Sequence, residues 1–146
     1  MIGLSVDPAD SHKRWETDIA DTQGVTVDFP MIADPDRKVS GLYGMVHPEA
    51  DPSVTVRTVF IIDPNKKVRL SLTYPPSAGR NFNEVLRVID SLQLTDSRKV
   101  TTPADWKPGD DVIIAPSVND ETARGLFPQG WKTLKPYLRM VKLPVG

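Results

Sequence analysis

Cysteine is absent from all 146 residues. That excludes disulfides, thiolate-bound zinc, iron–sulfur clusters and any thiol nucleophile carried by these residues. Histidine is nearly as scarce. His12 and His47 stand apart from each other and from any ligand-spaced partner, so no metal is expected. An excess of one charge is missing too: 18 Lys and Arg face 19 Asp and Glu, for a formal net charge of -1. A field that balanced would hold neither a nucleic acid nor an anionic membrane surface. No apolar run approaches the roughly 20 residues that span a bilayer, and no signal peptide opens the sequence, which favours the cytoplasm. The phosphate-binding glycine loops and the Gly-x-Ser-x-Gly elbow are absent, and the serines show no convincing histidine partner. No cofactor is expected.

What is present suits a globular α/β chain. Hydrophobic residues make up 39% and charged residues 25%, enough to build a core. Residues 2–6 form a short apolar run stopped by Asp7-Pro8, the pattern of a buried strand and a turn. His12, Trp15 and Ile19 then recur on one helical face until Gly24. A second apolar run, residues 29–33, precedes a helix through Val39, Leu42, Tyr43 and Val46, weakened by Gly41 and Gly44. The segment 47–53 reads as loop. Residues 54–62 are the most apolar stretch and predict a strand covered on both faces. The tight 63–67 connection sends the next strand back antiparallel, and Val68, Leu70, Leu72 and Tyr74 alternate with polar residues as an edge strand does.

Residues 81–94 predict a helix with Phe82, Val85, Leu86, Ile89 and Leu92 on one stripe, and Asn81 with Glu84 resembles a capping box. Prolines and glycines cluster beyond residue 98. The expected organisation is therefore a first domain over 1–98 and a small module over 99–146. That module should hold strands at 111–115 and 137–141 and a helical turn or two at 121–126.

Few side chains carry obvious chemistry. Asp7, Asp34 and Asp63 each end a strand, where turn formation and capping account for them. Arg57 shares a strand face with Val59 and Ile61, where a guanidinium either closes a salt bridge or serves an anion in a cleft. Arg80 follows Gly79 just before the capped helix, as a surface arginine or a second group reaching the same region.

Taken in order, these segments resemble the peroxiredoxins of the one-cysteine subgroup with a long C-terminal extension. The likeness is carried by Ile2-Gly3-Leu4-Ser5-Val6-Asp7, Phe29-Pro30-Met31-Ile32-Ala33-Asp34, Val56-Arg57-Thr58-Val59-Phe60-Ile61-Ile62-Asp63-Pro64 and Gly79-Arg80-Asn81-Phe82. The extension adds Thr102-Pro103-Ala104-Asp105-Trp106-Lys107-Pro108-Gly109-Asp110. The resemblance implies a thioredoxin-like mixed sheet flanked by helices, incomplete at its N-terminal side, plus the small C-terminal module. It also implies reduction of hydrogen peroxide and organic hydroperoxides by a cysteine thiolate. Arg57 matches the arginine that contacts cysteine and peroxide, and Arg80 matches a second active-site arginine.

The family's Pro-x-x-x-Thr-x-x-Cys motif would lie upstream of Met1, so the nucleophile is expected outside this chain. The same upstream part would supply a central strand between the strand matching residues 2–6 and the one matching 57–62. Residues 1–146 alone are therefore not expected to form a two-state domain. An external thiol would reduce the oxidised cysteine, and subunits would pair through the edge strand Val68–Tyr74 as a homodimer. A lipase variant of the subgroup uses an acid at the position of Asn65, an amide, so the resemblance does not support that activity. The competing reading is a non-catalytic thioredoxin-like piece that contributes only to dimerisation.

Overall fold

The computed structural model of the chain describes residues 1–46 and 56–144. The expected loop at 47–53, with His47, and the strand's first residues Val54 and Thr55 lie outside them. Chain order runs β1 (Gly3–Ser5), α1 (Ala9–Gln23), β2 (Met31–Ala33), α2 (Lys38–Leu42), β3 (Arg57–Ile62), β4 (Val68–Tyr74) and α3 (Phe82–Ser97). It continues with β5 (Val100–Thr101), β6 (Val112–Ile114), α4 (Asp120–Leu126), β7 (Lys132–Lys135) and β8 (Leu138–Val141). These elements fall into two compact units, Met1–Arg80 and Asn81–Gly146.

In the first unit β1 and β2 form a parallel pair, closed by Gly3 N–H to the Pro30 carbonyl and Asp34 N–H to the Ser5 carbonyl, both at 2.9 Å. Glycine at position 3 suits a close approach, because a Cβ there would stand 3.2 Å from both Met31 Cγ and Phe29 Cε2 and those side chains would have to give way slightly. Helix α1 joins the two strands and stops at Gly24, whose φ of 66° only glycine adopts without strain. Helix α2 is shorter than the apolar spacing predicts. Gly44, at φ 62°, closes it with Gly44 N–H to Gly41 O and Met45 N–H to Ser40 O, the paired bonds that terminate a helix.

β3 and β4 form the expected antiparallel hairpin, with Arg57 opposite Tyr74, Val59 opposite Leu72 and Ile61 opposite Leu70. Leu70, Leu72 and Tyr74 are half-buried while Arg69, Ser71 and Thr73 are exposed, as the alternation requires. β3 departs from expectation. Val59, Phe60 and Ile61 are only half-buried, and Arg57 and Ile62 are exposed. The reason is topological: among the described residues β3 has β4 as its sole strand neighbour and shares no ladder with β1 or β2. A strand can be covered on both faces only inside a wider sheet. Consistently, the buried residues described in this unit are polar, Asp34 and Ser40, and no apolar side chain reaches full burial.

The second unit has its own core. Val100, Trp106, Val112, Ile114, Val118, Ala123, Phe127 and Val141 form one buried cluster over a four-stranded sheet ordered β5-β6-β8-β7. The anticipated strands and short helix appear as β6, β8 and α4; the two-residue β5 and the wholly exposed β7 escaped sequence reading for want of an apolar pattern. Helix α3 opens at Asn81, whose Oδ1 accepts the Glu84 N–H at 3.3 Å. The return half of the capping box is not made, because the Glu84 carboxylate grips Arg87 at 2.6 and 2.7 Å instead. Val88 is the buried position of α3, while Phe82 and Leu86 of the expected stripe remain exposed. Composition changes near residue 98, but the units divide before α3, since Leu94 packs on the second core.

Candidate functional site

Arg57 stands at the exposed start of β3 rather than in an enclosed strand. Its guanidinium is nonetheless held: Nη1 donates to the Ala78 carbonyl at 3.1 Å. That carbonyl belongs to a turn closed by Ala78 N–H to the Pro75 carbonyl at 3.0 Å, two residues before the exposed Arg80. The first unit thus brings both arginines to one loop at the end of the β3–β4 hairpin. No carboxylate is seen to pair with Arg57 among the described residues; the ion pairs there include Asp36–Lys38, Asp63–Arg69, Glu84–Arg87 and Asp120–Arg139. A neutral carbonyl orients the guanidinium without compensating its charge.

A second polar cluster was missed from sequence. Ser5, at the end of β1, has its Oγ 2.8 Å from His12 Nε2 in the first turns of α1, and it donates to Asp7 Oδ2 at 2.9 Å. The expectation that no serine meets a histidine is therefore corrected. The signal was a serine closing a strand seven residues before a histidine on the following helix. Ser5 has one proton, and Asp7 receives it, so His12 must donate from Nε2. An imidazole that donates to the hydroxyl cannot act as its base, and the cluster fastens a strand, a turn and a helix instead of activating a nucleophile.

The strand-ending acids do what their positions imply. Asp63 accepts the Lys67 N–H at 3.0 Å and shapes the hairpin turn. Asp34 accepts the N–H groups of Val39 and Ser40 at 3.0 and 2.7 Å and caps α2. Burial opposes its ionisation, but the N–H groups of Ser40 and Val39 outweigh that and hold the carboxyl below the usual carboxylate range. A depressed folded value contributes stability that is present above the unfolded pKa and lost as pH falls through the folded one. In an NMR titration the Val39 and Ser40 amides are therefore expected to shift together, with a midpoint below the model-peptide value of about 3.9. A midpoint at or above that value would contradict the cap.

This fold has clear counterparts. Residues 1–71 match the AhpC/TSA family, and residues 91–132 match the C-terminal domain of 1-Cys peroxiredoxin. The chain is 54% identical over 144 residues to the 1-Cys peroxiredoxin of Dictyostelium discoideum, covering 99% of this chain and 60% of that protein. It superposes with a TM-score of 0.87 on a cysteine-to-serine mutant of peroxiredoxin 6 of Arenicola marina. That likeness runs at 46% identity over 99% of this chain and 70% of the other. The chain belongs to the 1-Cys peroxiredoxins.

The yeast mitochondrial 1-Cys peroxiredoxin, studied for thiol resolution through glutathione and thioredoxin systems, superposes at a TM-score of 0.90 and 50% identity, covering 97% of this chain and 70% of that one. With these counterparts the mixed α/β arrangement is thioredoxin-like. Within the peroxiredoxin frame the chain carries Arg57 and Arg80 but no cysteine. Among the described residues no helix is long and apolar enough to cross a membrane.

Proposed function

We propose that this chain is the arginine-bearing part of a thiol-dependent peroxidase whose nucleophilic cysteine lies outside these 146 residues. The observation that carries the reading is Arg57, anchored at the hairpin's end without a carboxylate partner among the described residues. In this reading the thiolate attacks one peroxide oxygen, the S–O bond forms as the O–O bond breaks, and the departing oxide takes a proton. The resulting sulfenic acid condenses with an external thiol to a mixed disulfide and water, and a second external thiol then frees the cysteine thiol as the two external sulfurs leave as a disulfide. Arg57 favours thiolate over thiol and stabilises the charge that moves onto the leaving oxygen, with Arg80 as the second cation. Substrates are hydrogen peroxide and organic hydroperoxides. A cytoplasmic location belongs to the proposal, against the mitochondrial description of the yeast relative, and subcellular fractionation decides between them.

The experiment joins this chain to the part of the Dictyostelium relative that it does not cover. The joined polypeptide is expected to consume hydrogen peroxide with a thiol reductant, and the 146 residues alone are not. Turnover by the cysteine-free chain above a protein-free control would overturn the reading. The chain alone is also expected to lack a single cooperative melt, because its first unit buries no apolar residue among those described.

The alternative, a piece that serves only dimerisation, draws on the open edge of β4, which pairs with β3 alone among the described residues. Pairing of two such edges about a two-fold axis fits either reading, and residues 99–146 belong to the proposed dimer-associated extension. Leu70→Lys in the joined polypeptide is expected to move sedimentation from dimer toward monomer; an unchanged dimer refutes edge pairing.

A further inference from the structure

Residues 122–146 contain no Asp or Glu but carry the cations Arg124, Lys132, Lys135, Arg139 and Lys142. Arg139 is buried and pairs with Asp120 at 2.7 Å, whereas the other four residues are exposed. Two of them lie on β7, the outermost strand of the four-stranded sheet among the described residues, exposed along its whole length. Lys132 stands opposite Met140 and Lys135 opposite Leu138. Both lysines therefore share the sheet face of those half-buried residues, while the buried Arg139 and Val141 belong to the other face. A register shift between Thr133 and Lys135 leaves Leu134 as the extra residue of a bulge, 47% exposed, and Tyr137 in the following turn is 73% exposed.

Lysines and a bulge on an open edge deter pairing with a like strand. Antiparallel pairing of β7 with β7 of a second copy about its midpoint would set Lys132 against Lys135, like charges face to face. The same cations attract a strand that carries carboxylates, and Leu134 and Tyr137 offer it apolar surface beside them. A lipid surface would answer the charge but has no backbone to pair with the edge. We propose that β7 is a docking edge for an extended acidic segment of a partner protein, whose carboxylates meet Lys132 and Lys135 and whose backbone adds a strand beyond β7. This surface goes beyond the peroxidase reading and does not depend on it.

In the test, the joined polypeptide is titrated into a fluorescent short peptide of alternating glutamate and valine, and anisotropy reads the affinity. Binding is expected, and expected to weaken as salt screens the charges. The double variant Lys132→Glu, Lys135→Glu should bind this peptide at least about tenfold more weakly and should bind the lysine-and-valine counterpart instead. Both positions are exposed, so the variant is expected to keep the parent's Trp106 fluorescence. Equal binding by parent and variant, or no binding by the parent, overturns the proposal. Hydrogen exchange of residues 132–135 then identifies the occupant. Exchange that slows when the glutamate peptide is added supports strand addition, and exchange unchanged with that peptide bound overturns it. Protection already present without peptide would seat a second copy on the edge. Protection by phosphatidylserine vesicles but not by the peptide would place a membrane there, and either result overturns the proposal.

Discussion

Arg57→Ala in the joined polypeptide is expected to lower kcat/KM for hydrogen peroxide about 10²- to 10³-fold, the loss typical when a fixed group stabilising transition-state charge is removed. Two effects contribute. The thiolate loses a neighbouring cation that favours its ionised form, and the O–O bond loses the positive charge that draws electrons toward its departing oxygen. Arg57→Lys keeps the charge but not the planar fork, so it should recover only part of the rate. Stopped-flow oxidation at saturating reductant measures all three proteins. A loss below about threefold in the alanine variant would place Arg57 outside the chemistry.

The second large effect belongs to stability. Arg139 is nearly enclosed, its side chain 8% exposed, yet it lies on β8 among the apolar residues of the second core. Its Nη1 donates to Asp120 Oδ1 at 2.7 Å, and Nη2 donates to the Val118 and Ala115 carbonyls. The guanidinium thus ties the strand to the loop that starts α4; the Ala115 carbonyl also accepts the Val118 N–H, so the Val118 carbonyl is the one that relies on it more. Arg139→Ala strands the Val118 carbonyl and is expected to cost the second unit about 2 kcal/mol. Arg139→Lys cannot span all three oxygens and should recover less than half. Chemical denaturation followed through Trp106 fluorescence reports the difference, since that indole is packed in the same core at 4% exposure. Stability unchanged in the alanine variant would show that water replaces the guanidinium at no cost.

The two arginines differ in what the sequence offers. Arg57 stands out because a charged residue opens an otherwise apolar strand, and the role proposed for it is what the family resemblance implies. Arg139 gave no such signal, since Leu138, Met140 and Val141 around it read as an ordinary short strand. Its partners lie 19 to 24 residues earlier in the chain, and only folding brings them to one guanidinium. The Ser5–His12 contact escaped for a related reason: it bridges the end of a strand and the start of a helix, across a turn whose path local propensities do not specify.

The sequence by itself determined most element types (β5 and β7 excepted), the hairpin and its alternation, the caps at Asn81 and Asp34, the family, and the absence of a nucleophilic thiol, because each of these is written in spacing of a few residues, in motifs or in composition. Only the tertiary structure decided burial and partnership: that among the described residues β3 has no second strand neighbour and apolar burial concentrates in the second unit, and that Arg57 is held by the Ala78 carbonyl. Burial depends on which strands lie beside which, and a hydrogen-bond partner 21 residues away is a property of the folded path rather than of any local pattern.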